Sequence, residues 1–257
     1  MKKPLLLLLF SILISFPSFS QEEPEAPADY DKNLIKVNLT GFLLKNYGFQ
    51  YERMLSRKTS FALGVRTMPK GDLPLMGFLE NQIDDPDTFK EIERVSMGNF
   101  AVTPEFRFYL GKKSGPRGFY IAPYLRYSKS DITVKDFEFT YEVEENGFFF
   151  EETRTLDLNG DIKGITGGLM FGAQWKLGKS LYLDWWIIGG SYGSSNGTIS
   201  TVASLTQEEQ DGLRNELNSL DIPVLEYDVE VNSNGAKMTF DGPFASLRGG
   251  LSLGIKF

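Results

Sequence analysis

From Leu34 to the end of the chain, apolar side chains return at every second position in short runs separated by turn residues. The last run shows this most plainly. Ala245, Leu247, Gly249, Leu251, Leu253, Ile255 and Phe257 share one face, while Phe244, Ser246, Arg248, Gly250, Ser252, Gly254 and Lys256 share the other. A period of two is that of a β-strand. In a soluble sandwich the second face would meet water. Made mostly of glycine and serine with isolated charges, it suits instead the crowded interior of a narrow closed barrel whose first face meets lipid.

The same alternation predicts seven earlier strands. Ile35, Val37, Leu39, Gly41 and Leu43 point outward against Lys36, Asn38, Thr40 and Phe42, and Lys45-Asn46 turns the chain into Tyr47, Phe49 and Tyr51. Phe61, Leu63 and Val65 oppose Ser60, Ala62, Gly64 and Arg66 in the third. The fourth, Asn99 to Leu110, contains Pro104, which cannot donate to a ladder and predicts a bulge or local break. The fifth runs from Phe119 past the lipid zone to a turn near Glu144-Glu145-Asn146-Gly147, and the sixth returns through Ile165 to Leu177. In the seventh, Tyr182, Asp184, Trp186 and Ile188 face inward.

Met68 to Val95 reads as a long loop with a short helix near Thr88 to Arg94, and Gly193 to Phe240 as a longer one. Within the latter, Thr206 with Glu209 three residues on is a capping box that opens a helix to about Leu220, and Tyr227 to Phe240 is a further extended stretch. The turns at Arg57, Lys113 and Lys179 are short and fall on one side; most connections on the other are long, as outer-membrane barrels require. The expected fold is all-β: an eight-stranded antiparallel transmembrane β-barrel with long extracellular loops, one carrying a short helix.

The beginning of the chain changes the picture. Met1-Lys2-Lys3, an apolar run from Leu5 to Phe16 and Ser18-Phe19-Ser20 describe a signal peptide over 1–20. The acidic, proline-containing residues 21–32 read as a disordered periplasmic lead, leaving 33–257 as the barrel domain. Hydrophobic residues make up 41% of the chain, yet after the signal segment no window reaches the roughly 20 apolar residues of a membrane helix, so the apolar content belongs in short strands. With no cysteine there is neither disulfide nor thiolate metal site, and a net charge of −7 argues against nucleic acid as a partner.

The inward positions carry the candidate site. Glu52, Glu105 and Asp184 are expected to anchor an ion-pair network with Arg66, Arg107, Arg126 and Arg248 that plugs the middle, because charges in so narrow a space must be paired or hydrated. Lys36, Lys176 and Lys256 are placed near the periplasmic mouth. An excess of bases over acids on this face supports the alternative, a narrow anion-attracting pore or transporter for small solutes.

The segment from Asn38 (NLTGFLLKNYGFQYERMLSRKTS), PEFRFYLGK at Pro104 to Lys112, RGFYIAPYLRYS at Arg117 to Ser128 and GAQWKLGKSLYLDWWIIGGSYGSSNG at Gly172 to Gly197 resemble an uncharacterised outer-membrane barrel family of Bacteroidota-type bacteria, a domain of unknown function. The resemblance implies a location in the bacterial outer membrane and supplies no catalytic or ligand-binding residue. The terminal Phe257 resembles the signal by which such barrels are recognised by the barrel assembly machinery.

There is no histidine. Hydroxyl or water activation near neutral pH calls for a base of suitable pKa, and small barrel enzymes rely on histidine for it. The acid clusters Asp84, Asp85 and Asp87, and Glu208, Glu209 and Asp211, leave open a carboxylate-only hydrolase or loosely held Ca²⁺ bridging to lipopolysaccharide phosphates, but no EF-hand spacing is present. The expectation is a non-enzymatic barrel without cofactor or metal, with a structural or surface-interaction role through its outer loops. Its partners are outer-membrane lipid, lipopolysaccharide, the assembly machinery and an envelope or surface component.

Overall fold

A computed structural model describes residues 30–83, 85–220 and 226–257. The expected signal peptide, most of the expected lead and Asp84 lie outside the described residues.

Eight strands close a ring. β1 (Asn33–Asn38), β2 (Tyr47–Met54), β3 (Thr59–Asp72), β4 (Val95–Tyr109), β5 (Gly118–Glu145), β6 (Phe148–Lys176) and β7 (Leu181–Val202) pair each with the next, all antiparallel. The ring is completed by β9 (Gly235–Lys256), which lies between β7 and β1, with Ile35 opposite Ile255. The ninth strand, β8 (Glu226–Asn232), pairs with β9 alone and stands outside the ring. The first and last ring strands meet at one end with the short turns, here the turn end; the other is the loop end.

Alternation sets the two faces. Ile35, Phe49, Leu63, Phe106, Leu125, Leu169, Trp185 and Ile255 are exposed on the outer wall, whereas Lys36, Glu52, Ala62, Glu105, Arg107, Tyr120, Gln174 and Asp184 are buried inside. A continuous apolar belt of this extent is far larger than the patches soluble monomers expose. Aromatics cluster near its turn-end rim, where Trp175 stacks on Trp185 at 6.3 Å and Tyr51 lies 6.2 Å from Phe257.

Several boundaries differ from the sequence reading. β3 continues to Asp72 and β4 begins at Val95, so the loop between them is shorter than expected; it carries α2 (Met76–Glu80) and α3 (Pro86–Glu93). β7 does not loosen after Tyr192: its Gly/Ser-rich upper half pairs with β6 up to Ser200 and with β9 up to Val202, opposite Gly235. Asp241-Gly242-Pro243 is accordingly part of β9, not a linker. At Pro104 no bulge forms, yet the ladder to β5 is interrupted between the Val102–Tyr127 and Glu105–Tyr124 pairs. A bulge does occur in β7, where Phe171 faces Ile188 and the next residue, Gly172, faces Trp186. The extra residue inverts the phase, so Ile188 points outward, 56% exposed.

β1 stops after six residues. The Asn38 side chain accepts the Gly41 amide at 2.8 Å and caps α1 (Leu39–Leu43), which replaces the predicted continuation of the strand.

Beyond the belt, the long upper arms of β5, β6, β7 and β9 continue as a sheet. α4 (Gln207–Ser219) packs on it, with the capping box at Thr206 and Glu209 in place. Phe139, Leu205, Leu213, Leu217 and Ala236 form a core there, separate from the barrel interior. Chain reversal at the β5–β6 tip uses Asn146 (φ 53°) and Gly147 (φ 81°), the left-handed pair that a tight hairpin requires.

Candidate functional site: the charged lumen and its two ends

Arg107 is the hub of the buried charge cluster and is itself fully buried. Its Nη1 donates to Asp184 at 2.6 Å, its Nε and Nη2 to Glu105 at 2.7 and 2.5 Å, and its Nη2 also to the Gln50 carbonyl at 2.8 Å. Glu52 lies 3.4 Å from Nη1 and accepts from Tyr109 at 2.6 Å and Ser60 at 2.5 Å. Asp184 also accepts from Tyr120 at 2.8 Å and Trp186 at 3.2 Å. The carboxylates are thus saturated by charged or hydroxyl donors, the condition under which buried ions are tolerated.

Lys36 belongs to this cluster. Expected near a mouth, it is instead fully buried, pairs with Glu52, and donates to Asp184 at 2.7 Å and Gln174 at 2.5 Å. The register keeps position 36 near the turn end, opposite Gly254 and Gln50, but there the side chain is sealed among acids rather than open to water.

The expected arginines divide into two groups. Arg107 and Arg248 reach the acids, Arg248 meeting Glu105 at 3.1 Å while stacked between Tyr124 and Trp186 at 4.8 and 4.6 Å. Arg66 and Arg126 lie nearer the loop end. Arg66 donates to Asn99 at 2.7 Å and Arg126 to Thr103 at 3.1 Å, and among the described residues neither is within ion-pair distance of a carboxylate. Composition could count these bases but not their heights.

At the turn end, Tyr30 to Lys32, expected within a disordered lead, make defined contacts. Asp31 joins Lys176 and Lys256, each at 2.6 Å, and accepts from Tyr182 at 2.6 Å, while Tyr30 packs against Gly115, where an added Cβ would meet the Tyr30 Cβ at 2.7 Å. Partial burial disfavours the Asp31 carboxylate, but hydrogen bonds from the two lysines and the tyrosine outweigh it and hold its pKa at about 2, below the ordinary 3.8. A depressed carboxylate contributes stability above its ordinary pKa and loses it as pH falls through the folded value. Acidification from about pH 4 toward pH 2 is therefore expected to release the segment before Asn33, while Asp31→Asn should release it at neutral pH. Limited proteolysis N-terminal to Asn33 reads both out; equal cleavage of wild type and variant at pH 7 would contradict it.

The described acids of the loops do not gather into a metal-binding group of three or more, and no helix among the described residues is long and apolar enough to cross a membrane, which says nothing about strands. Glu209 serves the capping box and meets Arg154 at 2.6 Å, and Asp211 meets Arg214 at 2.5 Å. Chemically, the central cluster can hold the barrel shut: it has no open coordination position and no histidine or thiol. Planar-bilayer recordings of the purified protein should accordingly show no steady conductance, and a reproducible open channel would mean that the cluster moves aside.

No family model and no curated protein matches the chain. Among solved structures, it is similar to the N-terminal β-barrel domain of Pseudomonas aeruginosa OprF, at 10% identity over 89% of this chain and 98% of that one, with a TM-score of 0.27. At that score the match adds nothing to the barrel read from the strand register.

Proposed function

We propose that this chain is a non-enzymatic outer-membrane barrel of bacteria, of the uncharacterised family its sequence resembles, whose working part is the folded cap on its loop end. The exposed apolar belt supports the membrane placement, since only a closed barrel or a helix satisfies its backbone in lipid. The observation that carries the role is the second core around Phe139, Leu213 and Leu217. Closing a barrel needs only short hairpins, and ordering a helix and a five-strand extension costs conformational entropy that closure does not require. Such an ordered platform supports recognition of a neighbouring envelope or surface component. Phe148, Phe149 and Phe150, all exposed at the tip of the β5–β6 hairpin, are its most apolar feature.

Val202 pairs with Gly235, so residues 203–234 can be replaced by Asn-Gly, leaving the β7–β9 hairpin closed. The excised protein should still assemble but lose cross-linked partners that wild type shows in intact cells. An unchanged partner set with lower protease resistance would make the cap a shield for the barrel mouth.

A further inference from the structure

The barrel interior is not electroneutral. Among the described residues, five buried or half-buried cations, Lys36, Arg66, Arg107, Arg126 and Arg248, face three carboxylates, Glu52, Glu105 and Asp184. The surplus of two positive charges is that of Arg66 and Arg126, which stand with Arg248 on the loop-end side and have only the uncharged Asn99 and Thr103 as described hydrogen-bond partners. All three line a cavity of about 190 Å³, more than ten times the roughly 10–15 Å³ that a single water needs. Donors remain unused there: Arg66 Nε, Arg248 Nε and Ser252 Oγ are buried without a hydrogen-bond partner. Arg126 and Arg248 are each more than nine-tenths buried. Three converging guanidiniums, of which Arg248 alone reaches a carboxylate and Arg66 and Arg248 each keep an unused Nε, form a site for an anion, because their planar forks match phosphate and carboxylate oxygens.

The wall beside this cavity is unusual. A strand crosses a bilayer in about 9–11 residues, and β1 supplies six. Between the Asn38–Ser252 pair and the Glu226–Asp241 pair, β9 has no described strand on its β1 side. The space is covered by α1, tied to β9 by the Leu251 amide donating to Thr40 at 2.9 Å. Leu44 and Leu247 line the same cavity and are also exposed to the outside, Leu247 at 82%. Leu247 stands ten residues from the turn end of β9, which is the upper rim of the belt. The cavity therefore joins a cationic interior to an apolar lip.

We propose that this cavity binds the headgroup of a phosphate-monoester amphiphile, with the phosphate held by Arg66, Arg126 and Arg248 and the acyl chain leaving between α1 and β9 over Leu44 and Leu247. A phosphate monoester carries about −1.5 to −2 charges at pH 7, which offsets the surplus of two. The lateral exit rests on the membrane placement proposed above; the anion site does not.

The test uses full-length protein in zwitterionic detergent, titrated calorimetrically with a lysophosphatidate, the monoacylglycerol of the same chain length, and inorganic phosphate. Lysophosphatidate should bind at least tenfold tighter than either of the others, and Arg66→Gln and Arg126→Gln should each weaken it at least tenfold. Among the described residues neither arginine has a carboxylate partner to strand, so folding should be retained, which heat-modified gel mobility verifies. Leu247→Asn, which adds no charge, should weaken lysophosphatidate by a larger factor than inorganic phosphate. Equal binding of inorganic phosphate and lysophosphatidate would overturn the amphiphile and its lateral exit, leaving a free-anion site. Binding of the monoacylglycerol as tightly as lysophosphatidate, or no change in the arginine variants, would overturn the anion site itself and leave a hydrated cavity.

Discussion

Replacing Glu105 by Gln should destabilise the folded barrel by about 3–5 kcal/mol, the range for removing one partner from a buried ion cluster. Glu105 accepts from Arg107 Nε and Nη2, Arg248 and Gln50, and it is 1% exposed. Glutamine keeps the shape but not the charge, and its amide nitrogen turns a donor toward groups that are themselves donors. The loss falls on a lumen already two positive charges in surplus. Arg66→Met changes the balance the other way, removing a cation that has no carboxylate, and should be neutral or stabilising. The opposite signs separate charge imbalance from general sensitivity of the lumen. Denaturant midpoints of the refolded proteins measure both, and midpoints for Glu105→Gln equal to wild type would show that the cluster contributes no net stability.

Leu213→Ala should cost the cap about 2–5 kcal/mol while leaving the barrel intact. Leu213 is fully buried against Phe139, Leu205 and Leu217, a cluster that shares no residue with the one inside the barrel around Tyr109, Tyr120 and Met170. Two cores joined only through continuous strands open as separate units. Amide exchange should therefore accelerate in α4, β8 and the upper arms of β5 and β6, with protection retained around Tyr120 and Asp184. Loss of protection throughout at one rate would show a single cooperative unit. The loop acid Asp211 offers the contrast: its pairing with Arg214 is exposed, and exposed pairs contribute little.

What the sequence determined by itself is the facing of side chains wherever one face of a strand is apolar. Between Ile35 and Ile255 the alternation separates outer wall from lumen, and it identifies Glu52, Glu105, Asp184, Arg107 and Arg248 as inward before any coordinates are known. Local signals with their own chemistry were equally legible: the Thr206–Glu209 capping box and the Asn146-Gly147 turn are specified by residues a few positions apart. The upper halves of β7 and β9 were not, because above the apolar belt both faces carry glycine, serine and charges, and the period vanishes although the ladder continues. Only tertiary structure decided heights. In a closed barrel, strand tilt and stagger set which residues from different strands share a level, and that is why Lys36 sits among the central acids while Arg66 and Arg126 stand apart from them. The bulge that turns Ile188 outward and the capped helix that ends β1 at Asn38 likewise depend on the register of neighbouring strands, which no single strand's own pattern contains.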